Sequence, residues 1–357
     1  MIRIFRYSLE KKQTSSPLME FLAVIIALLI AFGVSALLIA SAGVNVGEAF
    51  QSLVRGSLGS RSAIAETIVQ ATPLIFTGLA VTIAFRGRLW NIGAEGQFFA
   101  GAMAAYLIAS TFPGMSRVPV VFLIFMAALI SGGIWGAIPA ILKVKYGASE
   151  VIVTVMLNFV IQFILSFFLS GPWQDPQSAF LQTTKLPDAA IVSRIISGTR
   201  IHIGIVIALI SVFLIWFLLF KTTLGYEIRA YGINAVASTY KGIPPFRTII
   251  LTLAISGAIA ALAGASEVVG LHGRLRLDIS TGFGFTGIIV ALLGRLHPFW
   301  VVVSALFMGA LWNGSLAMQI TTGVPIALAY VIRGVVLVAL LAAETLTQIR
   351  IRRVHDE

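Results

Sequence analysis

The sequence predicts an all-α polytopic membrane protein: about ten transmembrane helices in two inverted five-helix repeats that contain broken or short helices. Three observations carry this. Hydrophobic residues are 58% of the 357 and charged residues only 11%, with a mean hydropathy of +0.98, whereas an ordinary soluble domain is roughly 25% charged. Apolar runs long enough to cross a bilayer recur along the whole chain. Two glycine-rich interruptions fall at matching places in its two halves.

The apolar runs lie near 21–42, 64–85, 97–112, 119–142, 151–170, 204–220, 248–270, 284–296, 299–318 and 325–346, those at 97–112 and 284–296 being short. Ala40-Ser41-Ala42 has the small-x-small look of a signal-peptide cleavage site. The first run is nevertheless longer than the roughly 7–15-residue core of a signal peptide and is followed by further spans, so it reads as a retained first helix. The formal charge is +11, but the basic residues are scattered through loops rather than gathered into a patch interleaved with aromatics, which argues against a nucleic-acid partner. With the N-terminus inside, sixteen Lys and Arg fall in cytoplasmic segments and eight in outer loops, leaving Arg333 inside an apolar run. That excess predicts a multi-pass protein with both termini cytoplasmic. The absence of cysteine excludes disulfides and thiolate metal sites. The four histidines show no HExxH spacing, and neither a GxSxG elbow nor a GxxxxGK[ST] loop occurs. No catalytic residue, metal or cofactor is expected, and any ATP that drives the protein binds another chain.

Residues 88–97, RLWNIGAEGQ, break an apolar stretch with glycines and polar groups. Unpaired backbone in hydrocarbon costs several kcal/mol per group, so such a break must be buried in protein or line a water-filled cavity. Setting GRLWNIGAEGQFFAG (87–101) over GRLRLDISTGFGFTG (273–287) gives six identities in fifteen positions at a constant offset of 186, and the same offset places Gly78 over Gly264. The half-repeats become 21–170 and 204–346 of a single transmembrane domain, 1–357, and an odd number of spans in each inverts the second. Interrupted segments at matching positions mark a transport pathway. Glycines can instead simply let helices pack closely, but the polar Asn91, Glu95, Gln97, Asp278, Ser280 and Thr281 beside them favour a pathway.

Between the sixth and seventh runs lies KTTLGYEIRAYGINAVASTYKGIP (221–244). Asn234 is a good N-cap, Ala235 to Lys241 can form two turns, and Gly242 followed by Pro244 supplies the stop. A helix this short is unstable alone in water, so it docks either on its own chain or in a partner's groove. This loop resembles the coupling segment of ABC-importer permeases. LWNIGAEGQ and GFGFTGIIVALLGRLHP (282–298) are similar to the branch of that family carrying simple sugars, nucleosides and branched-chain amino acids, and most of all to the longer permease subunit of bacterial nucleoside importers. The resemblance covers most of residues 64–300. It implies a bacterial cytoplasmic-membrane transport subunit that works with a second, shorter permease, a cytoplasmic ATPase and an extracytoplasmic binding lipoprotein. It assigns ATPase coupling to 221–247, with Gly225, Glu227, Arg229, Gly232, Asn234, Ala237, Lys241 and Gly242 as its residues. The loop 171–203 carries no diagnostic motif.

For a nucleoside, flat apolar surface for the base is available from Trp90, Phe98, Phe99, Phe283 and Phe285, and hydrogen-bonding groups from Asn91, Gln97, Asn158, Gln162 and Asn313, with Glu95 and Asp278 on the same breaks. Aromatic residues in spans also serve packing, and amides serve as glue between helices. Glu267 and Arg333 are expected near the outer side, where they can form an intramembrane ion pair. Two other readings stay open: the same importer carrying a sugar such as ribose, and an ion-coupled secondary transporter using Glu66, Glu95 or Glu267.

Overall fold

The computed structural model describes residues 2–4, 7–11, 17–347 and 349–353, most of them helical. In chain order the helices are α1 (Pro17–Ser41), α2 (Val46–Leu58), α3 (Arg61–Arg86), α4 (Ala94–Thr111), α5 (Arg117–Tyr146), α6 (Glu150–Leu169), α7 (Gly204–Lys221), α8 (Thr223–Ile233), α9 (Ala235–Tyr240), α10 (Pro245–Ser266), α11 (Phe283–Leu293), α12 (Pro298–Thr322) and α13 (Ile326–Thr347). α10 continues directly into a π-helical turn, Glu267–His272. Each of the ten predicted runs lies on a helix. Six helices among the described residues are long and apolar enough to cross a membrane: α3, α5, α6, α7, α12 and α10 with its π turn. A seventh span results if α1 and α2, bent by 119° at their junction, count as one. α11 is the extreme departure: its 11 residues reach about 16 Å, roughly half the hydrocarbon thickness.

Three short strands lie outside the helical pattern, β1 (Ile2–Ile4), β2 (Tyr7–Lys11) and β3 (Ile349–Arg353). They pair antiparallel in the order β1-β2-β3. Ile-Arg-Ile at both ends alternates with the period of a strand, and its charge keeps it out of an apolar span.

The chain divides into two compact units. One comprises residues 1–60 and 311–357. Its core joins Ile39, Ala49, Leu53, Met318, Val324 and Ile332, with Phe32 and Phe50 edge to face at 5.4 Å. Asn45 caps α2 by accepting from the Gly47 and Glu48 amides, and Asn313 Nδ2 donates to the Gly56 carbonyl at 2.9 Å.

The other unit, 61–310, is built on two nearly enclosed helices, α3 and α10. Helix association in lipid has no hydrophobic drive, so close packing of small residues takes its place. α5 meets α10 through Gly132, Gly136 and Gly257, where an added Cβ would overlap backbone carbonyls of the facing helix. α4 packs on α10 and α11 packs on α3. At the first contact Gly101 lies against the Ala261 carbonyl; at the second, Gly287 lies against Thr77. α5, α6 and α7 turn Phe122, Ile134, Phe163, Phe167 and Phe213 outward, as lipid- or partner-facing helices do.

Candidate translocation path and coupling surface

The first break spans residues 87–93, between α3 and α4. It opens with Arg88 in the left-handed region, φ +51°, and the buried side chain of Asn91 is satisfied inside the chain. Asn91 is fully buried. Its Nδ2 donates to Gln97 Oε1 (2.9 Å) and Ser256 Oγ (2.8 Å), while its Oδ1 accepts from the Gly93 amide (3.0 Å). Asn158, on α6, accepts from the Gly96 amide at 2.7 Å and donates to the Ile92 carbonyl at 2.9 Å. These amides stand in for water on backbone that no helix satisfies.

The second break follows the π turn. Gly273 (φ +61°) ends that turn, and α11 starts after Gly282 (φ +90°). Ser280 Oγ accepts from the amides of Gly282 (3.1 Å) and Phe283 (3.2 Å), closing the turn that leads into α11.

The two breaks touch. The Gly284 amide, in the first turn of α11, donates to Glu95 Oε2 at 2.7 Å, and Thr77 Oγ1 donates to the Phe283 carbonyl at 3.0 Å. A Cβ on Gly284 would overlap the Glu95 backbone. Phe98 stands beside both Phe99 (5.6 Å) and Phe283 (5.9 Å). Glu95 is buried, and its carboxylate occupies the electropositive N-terminus of a half-length helix.

Of the predicted path residues, Asn91, Glu95, Gln97, Phe98, Phe99, Asn158 and Phe283 therefore come together around the two breaks. Trp90 and Phe285 are about half exposed, and Trp90 leans edge-on against Phe85 at 4.7 Å. Asp278 is exposed and holds Arg276 through two contacts, 2.9 and 2.7 Å. Gln162 is half-buried on α6, and Asn313 lies in the other compact unit. Ser256 and Thr77, which the sequence reading passed over, complete the network. Buried serines and threonines in apolar helices usually bond back to their own helix, so nothing local marked these two.

The predicted coupling segment forms two helices, α8 and α9. Asn234 Oδ1 accepts from the Ala237 amide at 3.0 Å, Lys241 ends the helix, and Gly242 is left-handed at φ +85°. α8, which the sequence reading left unassigned, is capped by Thr222 and packs on the end of α7, with Gly225 against the Leu218 and Leu219 carbonyls. Its Gly232 lies against the Arg86 carbonyl, at the edge of the first break. The Arg86 and Arg229 guanidiniums both stack on Phe220, at 5.4 and 5.2 Å, and Arg86 Nε donates to the Leu296 carbonyl at 2.8 Å. Glu227 Oε2 is buried without a hydrogen bond among the described residues.

The loop 171–203 is stitched to the second break. The amides of Thr183, Leu186 and Val192 donate to the carbonyls of Leu275, Gly273 and Val269 at 2.9, 2.9 and 3.0 Å. Arg274 pairs with Asp175 at 3.2 Å. His202, at the end of the loop, is buried; its Nδ1 accepts from the Gly204 amide at 3.1 Å, and burial pushes the imidazole pKa down to about 4. Glu267, fully enclosed at the start of the π turn, has His272 Nε2 at 3.5 Å from its carboxylate. The side chain of Arg333, the partner expected for it, lies outside the described residues.

Comparison with known proteins follows the same lines. The guanosine ABC transporter permease protein NupP of Bacillus subtilis is 37% identical over 86% of this chain and 89% of its own length. The glucose ABC transporter permease protein TsgB13 of Haloferax volcanii is 31% identical over 98% of this chain and 94% of its own. The nucleoside ABC transporter permease protein NupB of Lactococcus lactis is 33% identical over 86% of each. The family described as the permease component of branched-chain amino acid transport systems matches residues 63–341, a stretch that contains both breaks and the coupling helices. The chain is a member of that permease family.

Proposed function

We propose that this permease imports nucleosides, that the cargo passes between the two breaks, and that the energy comes from a separate cytoplasmic ATPase docked on α8 and α9. The observation that carries the path is the bond from the Gly284 amide to Glu95, because it makes the two interrupted elements one closed contact. Opening that contact frees a carboxylate and a helix N-terminus together. Exposed carboxylate oxygens accept hydrogen bonds from ribose hydroxyls and from base N–H groups, while Phe98, Phe99 and Phe283 line the same junction with apolar surface.

The cargo reading rests on what already occupies that junction and on the relatives' names. A path for amino acids would offer its half-helix N-terminus to the substrate carboxylate. Here Glu95 already occupies that end of α11 and takes the Gly284 amide, so a substrate carboxylate would have to displace it. Two of the three relatives above carry nucleosides or guanosine in their names, and the third carries glucose. The TsgB13 match runs nearly the whole chain and keeps a sugar as the second reading.

The coupling reading draws support from Gly232, which brings α8 against the Arg86 carbonyl, so a displacement of α8 reaches the first break without an intermediary. The further subunits are those the resemblance implies: a second permease, the ATPase and an extracytoplasmic binding lipoprotein. The test is uptake of labelled adenosine or uridine by cells expressing the gene cluster. Unlabelled nucleoside should abolish the signal, and ribose and leucine should not. Glu95→Gln should cut uptake about tenfold with membrane levels unchanged, since leaving a buried hydrogen-bonding group mismatched costs about 1–3 kcal/mol. Full competition by ribose would move the cargo to sugars, and an indifferent Glu95→Gln would move the path away from the breaks.

A further inference from the structure

We propose that the groove between the start of α5, the start of α7 and the loop 171–203 is a binding site for one anionic phospholipid. The groove holds about 380 Å³ and is walled by Val121, Phe122 and Phe125 of α5, Ile207 of α7 and Val192 of the loop. Arg117 stands at its mouth. Phe122 is exposed, as are Val118 and Ile203 beside it. α5 and α7 both qualify as spans, and the groove lies where they begin. An apolar slot with a guanidinium at its rim therefore sits at the depth where acyl chains meet headgroups.

The charge at the rim selects the headgroup. Arg117 has five N–H donors, and among the described residues it reaches only Ser193 Oγ and the Asp188 backbone carbonyl, both at a long 3.4 Å. The Asp188 carboxylate is exposed and paired with Lys185 at 3.4 Å. Arg194, next to Ser193, is also exposed. Ser116, the cap of α5, makes no side-chain cap bond, so the Arg117 and Val118 amides in the first turn of that helix receive none from it. A phosphodiester on Arg117, Ser193 and these amides, with an acyl chain along Val121, Phe122 and Ile207, matches the site in charge and in apolarity. A zwitterionic lipid fills the slot equally well but adds an ammonium next to Arg117.

The site is joined to the second break. Val192, in the groove wall, donates its amide to the Val269 carbonyl of the π turn, so a lipid here braces the loop that is fastened to that break. The binding claim itself does not depend on which cargo is carried, and its test measures binding alone.

The test is native mass spectrometry of the full chain in its purified assembly, titrated with phosphatidylglycerol or with phosphatidylcholine of matched acyl length. One phosphatidylglycerol per chain should be retained in preference to phosphatidylcholine. Arg117→Gln should weaken retention about fivefold, the worth of one cationic contact near a membrane surface, and Arg117→Lys should restore it. Val121→Trp, which fills the slot with an indole, should lower retention of both lipids. A photo-crosslinking side chain at Phe122 should label lipid. Equal retention of the two headgroups, or an unchanged Arg117→Gln, overturns the proposal. Labelling of a second permease subunit at Phe122 in place of lipid overturns it as well, because the face would then be a protein interface.

Discussion

His202 enters α7 with its ring held between two glycines: a Cβ on Gly204 or on Gly270 would overlap the imidazole. Its Nδ1 accepts from Gly204, so the proton sits on Nε2, which has no partner among the described residues. Ser266 Oγ and Glu267 Oε1 are likewise buried without one. The neutral form is the one the fold accommodates, because the pKa falls from the ordinary 6.5 to about 4. A depressed histidine pKa means that the unfolded chain binds more protons below 6.5, so stability is lost as pH falls and the loss is complete below about 4. Between about pH 7.5 and pH 5 this amounts to roughly 2 kcal/mol. Thermal unfolding of the purified protein should show it, and His202→Asn, which keeps an acceptor for Gly204 and removes the titration, should flatten the profile. An unchanged pH dependence in that variant would remove His202 as its source. What the sequence reveals at this scale follows the range of the contact. Asn234 and Gly242 were legible because a cap and a left-handed stop are local. The bonds joining Asn91 to Ser256 and Glu95 to Gly284 were not, since their partners stand 165 and 189 residues away.

Among the elements, the breaks were legible from glycines and polar residues inside apolar runs, and α9 from its capping pattern. α8 was not, because Thr223–Ile233 mixes polar and apolar residues without a clean helical stripe and is held by what it packs on. Neither was the π turn, whose sequence EVVGLH differs in no local way from a helical one. α8 and α9 lead to a test that separates fold from coupling. A Cβ at Gly242 meets nothing within 4 Å, so Gly242→Val costs only the left-handed strain of about 1–2 kcal/mol. Asn234→Ala removes the cap of a six-residue helix at about 1 kcal/mol. Gly232→Val is different in kind, since its side chain must displace the Arg86 carbonyl or move α8. Transport should fall modestly in the first two variants and be abolished in the third, with membrane insertion retained in all. ATPase co-purification should be lost on scrambling 234–241. Retention of ATPase and transport after that scramble would end the docking role.

At the scale of the molecule, two sets of contacts bear on how the chain threads the membrane. Gly232 ties the coupling segment to the first break, and the amides of Thr183, Leu186 and Val192 tie the loop 171–203 to the second. α7 is the chain that joins the loop to the coupling segment, and its 18 residues reach about 27 Å, nearly the hydrocarbon thickness. If α7 crosses the bilayer, the two breaks open to opposite sides, as an inverted repeat demands. The offset of 186 is consistent with this: it carries α3 (61–86) onto the stretch 247–272, close to α10 with its π turn, and the start of α2 onto the end of α8. The contacts of Gly101 with α10 and of Gly287 with α3 obey the same exchange of partners. Hydropathy alone counts fewer spans because α4 begins with Glu95 and Gln97 and α11 is half-length. Reporter fusions after residues 60, 185 and 276 should therefore score outside, and one after 234 inside, with both termini cytoplasmic. The hydrogen bonds require 185 and 276 to agree whatever the orientation, so disagreement between them would contradict the fold itself. Agreement of both with the fusion at 234 would mean that α7 does not cross, and the inverted repeat, with the path drawn between its breaks, would fall with it.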